Sequence, residues 1–588
     1  MRDATRLAMA PLRRRLSLPV PLAAAGALLG AALFPAGVRA QDSTPAPAVW
    51  RYQQVEPAVI ARHGMAAADH PVSSQVGADV LRRGGNAIDA IVAVAFAHAV
   101  VEPAAGNLGG GGFLVYRRRD GRSFALDFRE TAPAAATRDM FLDSTGKATE
   151  ASWQGPRSVG VPGSVAGLWA MHRRFGRLPW RDVVAPAIAL ARDGHVVDQP
   201  RADMLRGAEA TFARWESTAR IWMPGGRLWQ AGDTLRQPDL AATLQLIADS
   251  GAAPFYRGSI AELIVAEMRR DGGLITAEDL ARYRPRWRTP LTGHYRGRTI
   301  VTMPPSSSGG ATLIQALNIL AGFRPGAFGS APERHLLIEA ERRAFLDRNT
   351  LLGDPDFVAM PLRRLTGTAY AARQRRSIRL DRATPTGGLA LPEGPHTTNY
   401  AVVDGRGNAA CLTTTINHGF GSKIVVAGAG FFLNNEMDDF TAQPGAVNTM
   451  GLEQLGQANT IAPGKRMLSS MTPTIVLDRR GRLELVLGSE GGAMIITAVL
   501  ETILNVVDHR MSLAEAVAAP RLHHNALPDS VAWEPAGLAP EVKAQLEAMG
   551  HHFYTRPFYF ATVTAVRVGR GGLEGVTDPR LPSRAAGY

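Results

Sequence analysis

The chain has 588 residues, of which 46% are hydrophobic and 20% charged, and its formal net charge is +13. This composition is ordinary for a globular protein, and the length allows a large core or several domains. The arginines are scattered along the chain instead of forming a stripe, so the positive charge does not indicate nucleic-acid binding.

The N-terminal residues have the pattern of a secretory signal. Three arginines at 13–15 precede an apolar run at 16–38, and small residues lead up to Ala40. This pattern predicts a signal peptide, residues 1–40, cleaved after Ala40, and export to the periplasm or the medium. An uncleaved membrane anchor is the alternative, but three prolines in the run favour cleavage. No later stretch is apolar enough to span a bilayer.

Cysteine usage excludes an internal disulfide, because Cys411 is the only cysteine. It lies in a strand-like run, where a free cysteine usually behaves as a small buried apolar residue. If the chain is cut, its pieces must therefore stay together through a shared core.

Helices and strands follow one another along the chain. A glycine run at 109–112 lacks the Gly-Lys-Ser/Thr of a phosphate-binding loop and leads into a strand instead. In the next strand, 124–129, apolar residues alternate with others, which places Arg129 on the face opposite the aromatic rings. Residues 157–350 have mostly helical periodicity, and the polar, basic segment 371–396 resembles a linker.

The pattern becomes strand-rich from Thr397 onward. Six strands are predicted, at residues 398–403, 409–416, 430–434, 473–478, 483–487 and 562–568. The first two flank a five-residue turn, 404–408, and so predict a hairpin. If Val403 faces Ala409, antiparallel pairing puts Thr397 opposite Thr415, with Asn417 just beyond.

Two interpretations of this hairpin are open. Threonine favours strands, so it can be a threonine-rich edge hairpin without catalytic meaning. Alternatively, the Thr397 hydroxyl attacks the carbonyl of His396 and cuts the chain. The freed α-amine has a pKa of about 8 and can then act as the base for the same hydroxyl.

The chain resembles the γ-glutamyltranspeptidase (glutathione hydrolase) family over roughly residues 55–588. Seven motifs carry the resemblance, in family order: Gly106-Asn107-Leu108-Gly109-Gly110-Gly111-Gly112-Phe113, Asp127-Phe128-Arg129-Glu130, His396-Thr397-Thr398-Asn399-Tyr400, Thr413-Thr414-Thr415-Ile416-Asn417, Asn434-Asn435-Glu436-Met437-Asp438-Asp439-Phe440, Leu468-Ser469-Ser470-Met471-Thr472-Pro473 and Gly488-Ser489-Glu490-Gly491-Gly492. Each motif is weak alone, and the ordered set is strong.

The resemblance implies a fold and a reaction. The fold is the α/β (α+β) four-layer αββα sandwich of N-terminal nucleophile (Ntn) hydrolases, built from a large subunit, 41–396, and a small subunit, 397–588, which form a heterodimer after the precursor is cut. The reaction is cleavage of glutathione and other γ-glutamyl amides, with transfer of the γ-glutamyl group to water, amino acids or peptides. No metal or organic cofactor is implied.

The family match also implies roles for individual residues. The catalytic residues are Thr397 as nucleophile, Thr415 as its orienting partner, and Gly491 and Gly492 as oxyanion donors. The substrate α-carboxylate is held by Arg129, Ser469 and Ser470. The α-ammonium is held by Asn417, Glu436 and Asp439.

Two other functions stay open. A cephalosporin acylase on the same scaffold takes a glutaryl group, which lacks the α-ammonium. Glu436 and Asp439 would then face no cation, and because buried unpaired charge is costly, these acids favour a γ-glutamyl substrate. A non-catalytic exported binding protein would retain an uncut chain. Met450 stands where many bacterial relatives have a lid tyrosine. Methionine cannot supply the hydrogen bond of the phenol, so we expect a looser or differently shaped lid and a different balance of hydrolysis to transfer. Paired histidines at 523–524 and 551–552 lack the spacing of a metal site.

Overall fold

We describe a computed structural model of the chain over residues 55–386, 397–446, 448, 455–557 and 561–588. These residues belong to one compact unit, Asp42–Tyr588. The predicted signal peptide, His396 and Met450 lie outside the described residues. Within the described ranges, no helix combines the length and the apolar character needed to cross a membrane.

Most strands belong to two seven-stranded sheets. The strands are β1 (Val59–Ala61), β2 (Met65–Ala68), β3 (Gly111–Arg117), β4 (Ser123–Asp127), β5 (His195–Val196), β6 (Thr234–Leu235), β7 (Arg286–Arg288), β8 (Leu291–Tyr295), β9 (Arg298–Thr302), β10 (Thr397–Val403), β11 (Ala409–Thr415), β12 (Thr474–Leu477), β13 (Leu483–Ser489), β14 (Leu522–His523), β15 (Ala532–Trp533), β16 (Val563–Gly569), β17 (Gly572–Thr577) and β18 (Ala586–Gly587). One sheet has the order β1-β17-β16-β13-β12-β9-β8 and the other β18-β2-β10-β11-β3-β4-β7.

Helices cover the sheets. They are α1 (Pro71–Arg82), α2 (Ala87–Val101), α3 (Ser164–Phe175), α4 (Trp180–Asp193), α5 (Gln199–Phe212), α6 (Glu216–Trp222), α7 (Pro238–Ser250), α8 (Ala253–Arg257), α9 (Ser259–Asp271), α10 (Ala277–Arg282), α11 (Gly309–Leu320), α12 (Ala331–Leu351), α13 (Leu362–Leu365), α14 (Thr368–Arg376), α15 (Met494–Val507), α16 (Leu513–Ala518) and α17 (Pro540–Ala548).

Three apolar cores define four layers. One core joins residues of both sheets, including Val115 and Cys411 from one and Val486 from the other. A second core packs α2, α4 and α7 against the β10–β11 sheet. A third packs α11, α12 and α15 against the β12–β13 sheet. The predicted αββα sandwich is thereby confirmed, and Cys411 is fully buried, as expected of an apolar cysteine.

The predicted hairpin is formed by β10 and β11 at the middle of its sheet. Val403 faces Ala409 and Thr397 faces Thr415, the register expected from the turn length. The hairpin is not an edge hairpin, because β10 also pairs with β2 and β11 with β3. Its threonines therefore lie in a buried position, where hydroxyl groups need partners or a cleft.

Two predicted segments differ from the structure. Residues 430–434 form no strand; Phe432 and Leu433 make only isolated bridges, and Gly430 just before them has φ 78°. The linker-like segment begins later than expected, because α14 extends to Arg376. The rest of that segment is described as far as residue 386, and 387–396 lie outside the described residues.

Candidate active site

The predicted site residues converge on one cleft with an empty volume of about 370 Å³. All of them except Gly491 line it, and they come from both halves of the chain. The lining residues predicted from sequence are Arg129, Thr397, Thr415, Asn417, Glu436, Asp439, Ser469, Ser470 and Gly492. Residues as far apart in the sequence as Arg129 and Gly492 therefore meet through folding.

Thr397 is the first residue of β10, and its side chain is almost fully buried at the cleft. The next two residues fix the strand: the Thr398 hydroxyl donates to Asp69 Oδ2 at 2.8 Å, and the Asn399 N–H donates to the same oxygen at 3.1 Å. Burial raises the pKa of Asp69 to about 7. Sequence reasoning missed Asp69, because nothing near it in the chain indicates contact with β10.

Thr415 lies opposite Thr397 in the ladder. Its Oγ1 accepts a 2.7 Å hydrogen bond from the N–H of Asn417, and its side chain also interacts with Glu436. Asn417 has φ 72°, and its Nδ2 donates to the Asn435 carbonyl at 3.1 Å. Because these contacts fix the Thr415 side chain beside the nucleophile candidate, its orienting role stays a consistent prediction.

Arg129 is the central cation of the cleft, and only 1% of its surface is exposed. Its Nη1 lies 2.7 Å from Glu436 Oε2 and 3.5 Å from Glu130 Oε2, and its Nη2 pairs with Asp439. Arg129 follows the end of β4 at Asp127, and its side chain is buried in the cleft instead of lying on the surface. Sequence reasoning predicted Arg129, Glu436 and Asp439 as site residues, but it missed Glu130 and the pairing of the arginine with these acids.

The acidic residues outnumber this arginine, and burial changes their protonation. Burial raises the pKa of Glu130 to about 8, although the charge of Arg129 opposes the shift. Burial likewise raises the pKa of Glu436 well above its usual range and raises that of Asp439. The carboxylates in turn raise the pKa of Arg129, against the effect of its burial. The cleft thus holds a surplus of carboxyl groups that a further cation would stabilise.

The serines of the cleft lie next to a second arginine. Ser470 Oγ accepts from Arg348 Nη2 at 3.2 Å, and Arg348 Nε donates to Ser308 Oγ at 3.1 Å. The Ser469 carbonyl accepts from Ser308 Oγ at 2.6 Å. Arg348 also lines the cleft. Sequence reasoning missed it, since helix α12 carries several arginines and no pattern indicates which one reaches the site.

The glycine pair precedes α15. Both residues have positive φ, 118° for Gly491 and 60° for Gly492, which glycine adopts without strain. A Cβ on Gly491 would lie 2.5 Å from the Ala561 Cβ. Gly492 lines the cleft, whereas Gly491 is not one of the lining residues. Of the two expected oxyanion donors, only Gly492 therefore lies at the surface of the cleft.

The paired histidines have other contacts. His551 joins His335 and Glu339 in a buried group whose ligand-type atoms lie within 4.8 Å of one another. His335 Nδ1 bonds His551 Nε2 at 2.7 Å, its Nε2 bonds the Arg379 carbonyl at 2.8 Å, and Glu339 pairs with Arg343. These side chains form a buried polar network that includes the backbone carbonyl of Arg379. The expectation that no metal takes part remains a prediction.

Comparison with known proteins agrees with this geometry. The family model described as gamma-glutamyltranspeptidase matches residues 73–588. The glutathione hydrolase proenzyme of Escherichia coli (strain K12) is 45% identical over 541 residues, which cover 90% of this chain and 93% of the relative.

Solved structures give the same result. A cephalosporin acylase from Bacillus halodurans superposes with a TM-score of 0.81 at 28% identity, over 92% of this chain and 99% of the other. The γ-glutamyltranspeptidase of Helicobacter pylori gives a TM-score of 0.54 at 43% identity, over 56% of this chain and 94% of that chain. With the family model and the identity to a full-length relative in agreement, the chain belongs to the γ-glutamyltranspeptidase family.

Proposed function

We propose that Thr397 is the nucleophile with which this self-processing γ-glutamyl hydrolase and transferase cleaves glutathione and other γ-glutamyl amides. The observation that carries the proposal is the position of Thr397 at the start of a central strand, facing a cleft that also holds Arg129 and its carboxyl partners. A nucleophile next to groups of both charges suits a zwitterionic acyl group.

Maturation creates the working nucleophile. The Thr397 hydroxyl attacks the carbonyl carbon of His396, the peptide C–N bond breaks, and an ester with a free Thr397 amine results. Water hydrolyses the ester and leaves a carboxylate at residue 396. The subunits 41–396 and 397–588 stay joined because the strands of both fill the same cores. Removal of residues 1–40 during export precedes or accompanies this step.

The substrate's α-carbon substituents bind opposite sides of the charge cluster. Ser469, Ser470 and Arg129 hold the α-carboxylate, with the guanidinium of Arg348 behind Ser470. A planar guanidinium donor suits a carboxylate. The α-ammonium is held by Asn417, Glu436 and Asp439, where the surplus of carboxyl groups lies.

Acyl transfer then uses the new N-terminus. The α-amine accepts the proton of the Thr397 hydroxyl as the oxygen attacks the γ-carbonyl carbon. The N–H of Gly492, supported by Gly491 behind it, stabilises the oxyanion; such a donor typically contributes about 3–4 kcal/mol. The amine of the cleaved γ-glutamyl amide takes up a proton and leaves, and a γ-glutamyl–Thr397 ester remains. Water or the amine of an amino acid or peptide then accepts the γ-glutamyl group.

The charge balance favours a γ-glutamyl over a glutaryl substrate. A glutaryl group brings a carboxylate and no ammonium to a cleft where Glu130, Glu436 and Asp439 already surround Arg129. The expectation that Glu436 and Asp439 face no cation without a substrate ammonium is wrong, because Arg129 pairs with both. Burial nevertheless raises the pKa of Glu130, Glu436 and Asp439 and so disfavours their ionised forms. A substrate ammonium favours the ionised carboxylates, so its absence from a glutaryl group should weaken binding.

The test compares two substrates that differ only in the α-ammonium, L-γ-glutamyl-p-nitroanilide and glutaryl-p-nitroanilide. Because the site is built to bind the polar group, kcat/KM should be at least about 100-fold higher for the γ-glutamyl compound. Equal or reversed values would favour the acylase alternative. Loss of both activities in an uncut chain would favour a binding protein.

A further inference from the structure

A second cavity lies apart from the active-site cleft. Its empty volume, which includes space open to solvent, is about 370 Å³, as for that cleft, and the two share no lining residue. Val196, which is 63% exposed, lines it, so the cavity borders solvent.

Polar atoms without partners point to a ligand in this cavity. Glu102 Oε1, His195 Nδ1 and Trp222 Nε1 are buried and have no hydrogen-bond partner among the described residues, and all three residues line this cavity. Trp222 is only 1% exposed. Unpaired buried polar atoms are rare in native proteins and call for an explanation.

The cavity carries excess negative charge. Arg201 pairs with Glu102 and, at 3.0 Å, with Asp198, and its Nη2 donates to the Asp69 carbonyl at 3.3 Å. One guanidinium thus faces two carboxylates. Burial lowers the pKa of His195 to about 4, so this ring is neutral at pH 7. Burial also raises the pKa of Glu102, a shift that a nearby cation would offset.

The rest of the lining is apolar and aromatic. Trp222 and Phe420 both face the cavity, with ring centroids 6.4 Å apart, and Val101, Met204 and Leu205 add aliphatic surface. Aromatic faces attract cations, most strongly where water is excluded. A carboxylate oxygen without a partner beside such rings suits an ammonium group attached to an apolar body.

We propose that this cavity is a second small-molecule site, which binds a primary organic ammonium ion through Glu102 and holds its apolar part against Trp222 and Phe420. The ammonium donates to Glu102 Oε1, because Arg201 contacts the other carboxyl oxygen, Oε2. The inference does not rest on the proposed function, because no residue of the active-site cleft takes part.

The test uses isothermal titration calorimetry on the mature enzyme with n-butylammonium chloride. Without a γ-glutamyl donor no turnover consumes this amine. n-Butanol matches its size without charge, and sodium butyrate reverses the charge. The proposal predicts saturable binding of n-butylammonium and at least tenfold weaker binding of the other two. Equal binding of n-butanol or butyrate would overturn it.

Variants locate the binding. Glu102→Gln should raise the Kd for n-butylammonium at least tenfold. Asp203→Asn, an exposed change next to the lining residue Met204 on α5, should alter it less than twofold. Met204→Trp fills the cavity without changing its charge and should also abolish binding. This variant tests the site even if Glu102→Gln folds poorly. An unchanged Kd in folded Glu102→Gln or Met204→Trp would refute the site.

A spectroscopic readout places the ligand at the cavity itself. In the NMR spectrum, the indole N–H signal of Trp222 can be identified by its loss in Trp222→Phe. This signal should shift on addition of n-butylammonium, while the other indole N–H signals stay in place. Binding without a shift of this signal would place the amine elsewhere and overturn the assignment.

Discussion

Replacement of Asp439 by asparagine tests the assignment of the ammonium side of the cleft. Asp439 pairs with Arg129 and lines the cleft near Glu436. Asp439→Asn keeps the shape of the side chain but removes one negative charge from the surplus that we assign to the substrate's α-ammonium. The variant should therefore bind γ-glutamyl substrates less well and glutaryl compounds no worse.

The size of the effect follows from the contact that is lost. A hydrogen bond to a charged group contributes about 1.5–3 kcal/mol, which is about a 10- to 140-fold loss in kcat/KM at roughly 1.4 kcal/mol per factor of ten. Arg129 loses a competing partner at the same time. We therefore expect kcat/KM for glutaryl-p-nitroanilide to stay within about threefold or rise.

The assay measures kcat/KM for both p-nitroanilides in the wild type, Asp439→Asn and Asp438→Asn. Asp438 is the matched control, since it is the adjacent acid, accepts from Ser152 Oγ at 2.8 Å and does not line the cleft. Melting temperatures check that all three proteins are folded. A γ-glutamyl to glutaryl ratio that changes less than threefold in Asp439→Asn, or equally in the control, would refute the reasoning.

Three further variants test other contacts. Arg348→Lys keeps the charge but cannot donate to Ser470 and Ser308 at the same time, so KM should rise several-fold with kcat little changed; an unchanged KM would remove this residue from carboxylate binding. Gly491→Ala forces positive φ and a clash with Ala561, so unfolding free energy should fall by about 2 kcal/mol or more in chemical denaturation, and an unaltered midpoint would contradict the strain. Burial raises the pKa of Asp69 to about 7 from 3.8, so its contribution to stability is fully present below about pH 4 and is lost as the pH rises through 7. The Tm of Asp69→Asn should therefore fall less than that of the wild type between pH 4 and pH 8, and parallel curves would argue against the shift.

Local periodicity accounts for the parts of the fold that sequence predicted well. The five-residue turn 404–408 and the period of two along its flanking strands determine the register that places Thr397 opposite Thr415. These features depend on neighbours within a few residues, so a single sequence contains them.

Contacts between distant segments were beyond such reasoning. Three such contacts join residues more than 100 positions apart. Arg129 pairs with Glu436 and Asp439, Arg348 donates to Ser470, and Asp69 accepts hydrogen bonds from the start of β10. Hydrophobic patterning does not specify which polar side chains meet in a core. The strand expected at 430–434 failed for a related reason, because local β propensity gave way to the turn geometry around Gly430.

The most direct test of the central claim is the intact mass of the purified protein under denaturing conditions, with N-terminal sequencing of any fragment, for the wild type and Thr397→Ala. We expect two chains from the wild type, the shorter beginning Thr397-Thr398-Asn399-Tyr400, and one uncut, inactive chain from Thr397→Ala. A wild type that stays uncut yet turns over a γ-glutamyl amide, or a Thr397→Ala variant that is still cut before residue 397, would contradict the assignment of Thr397 as the nucleophile.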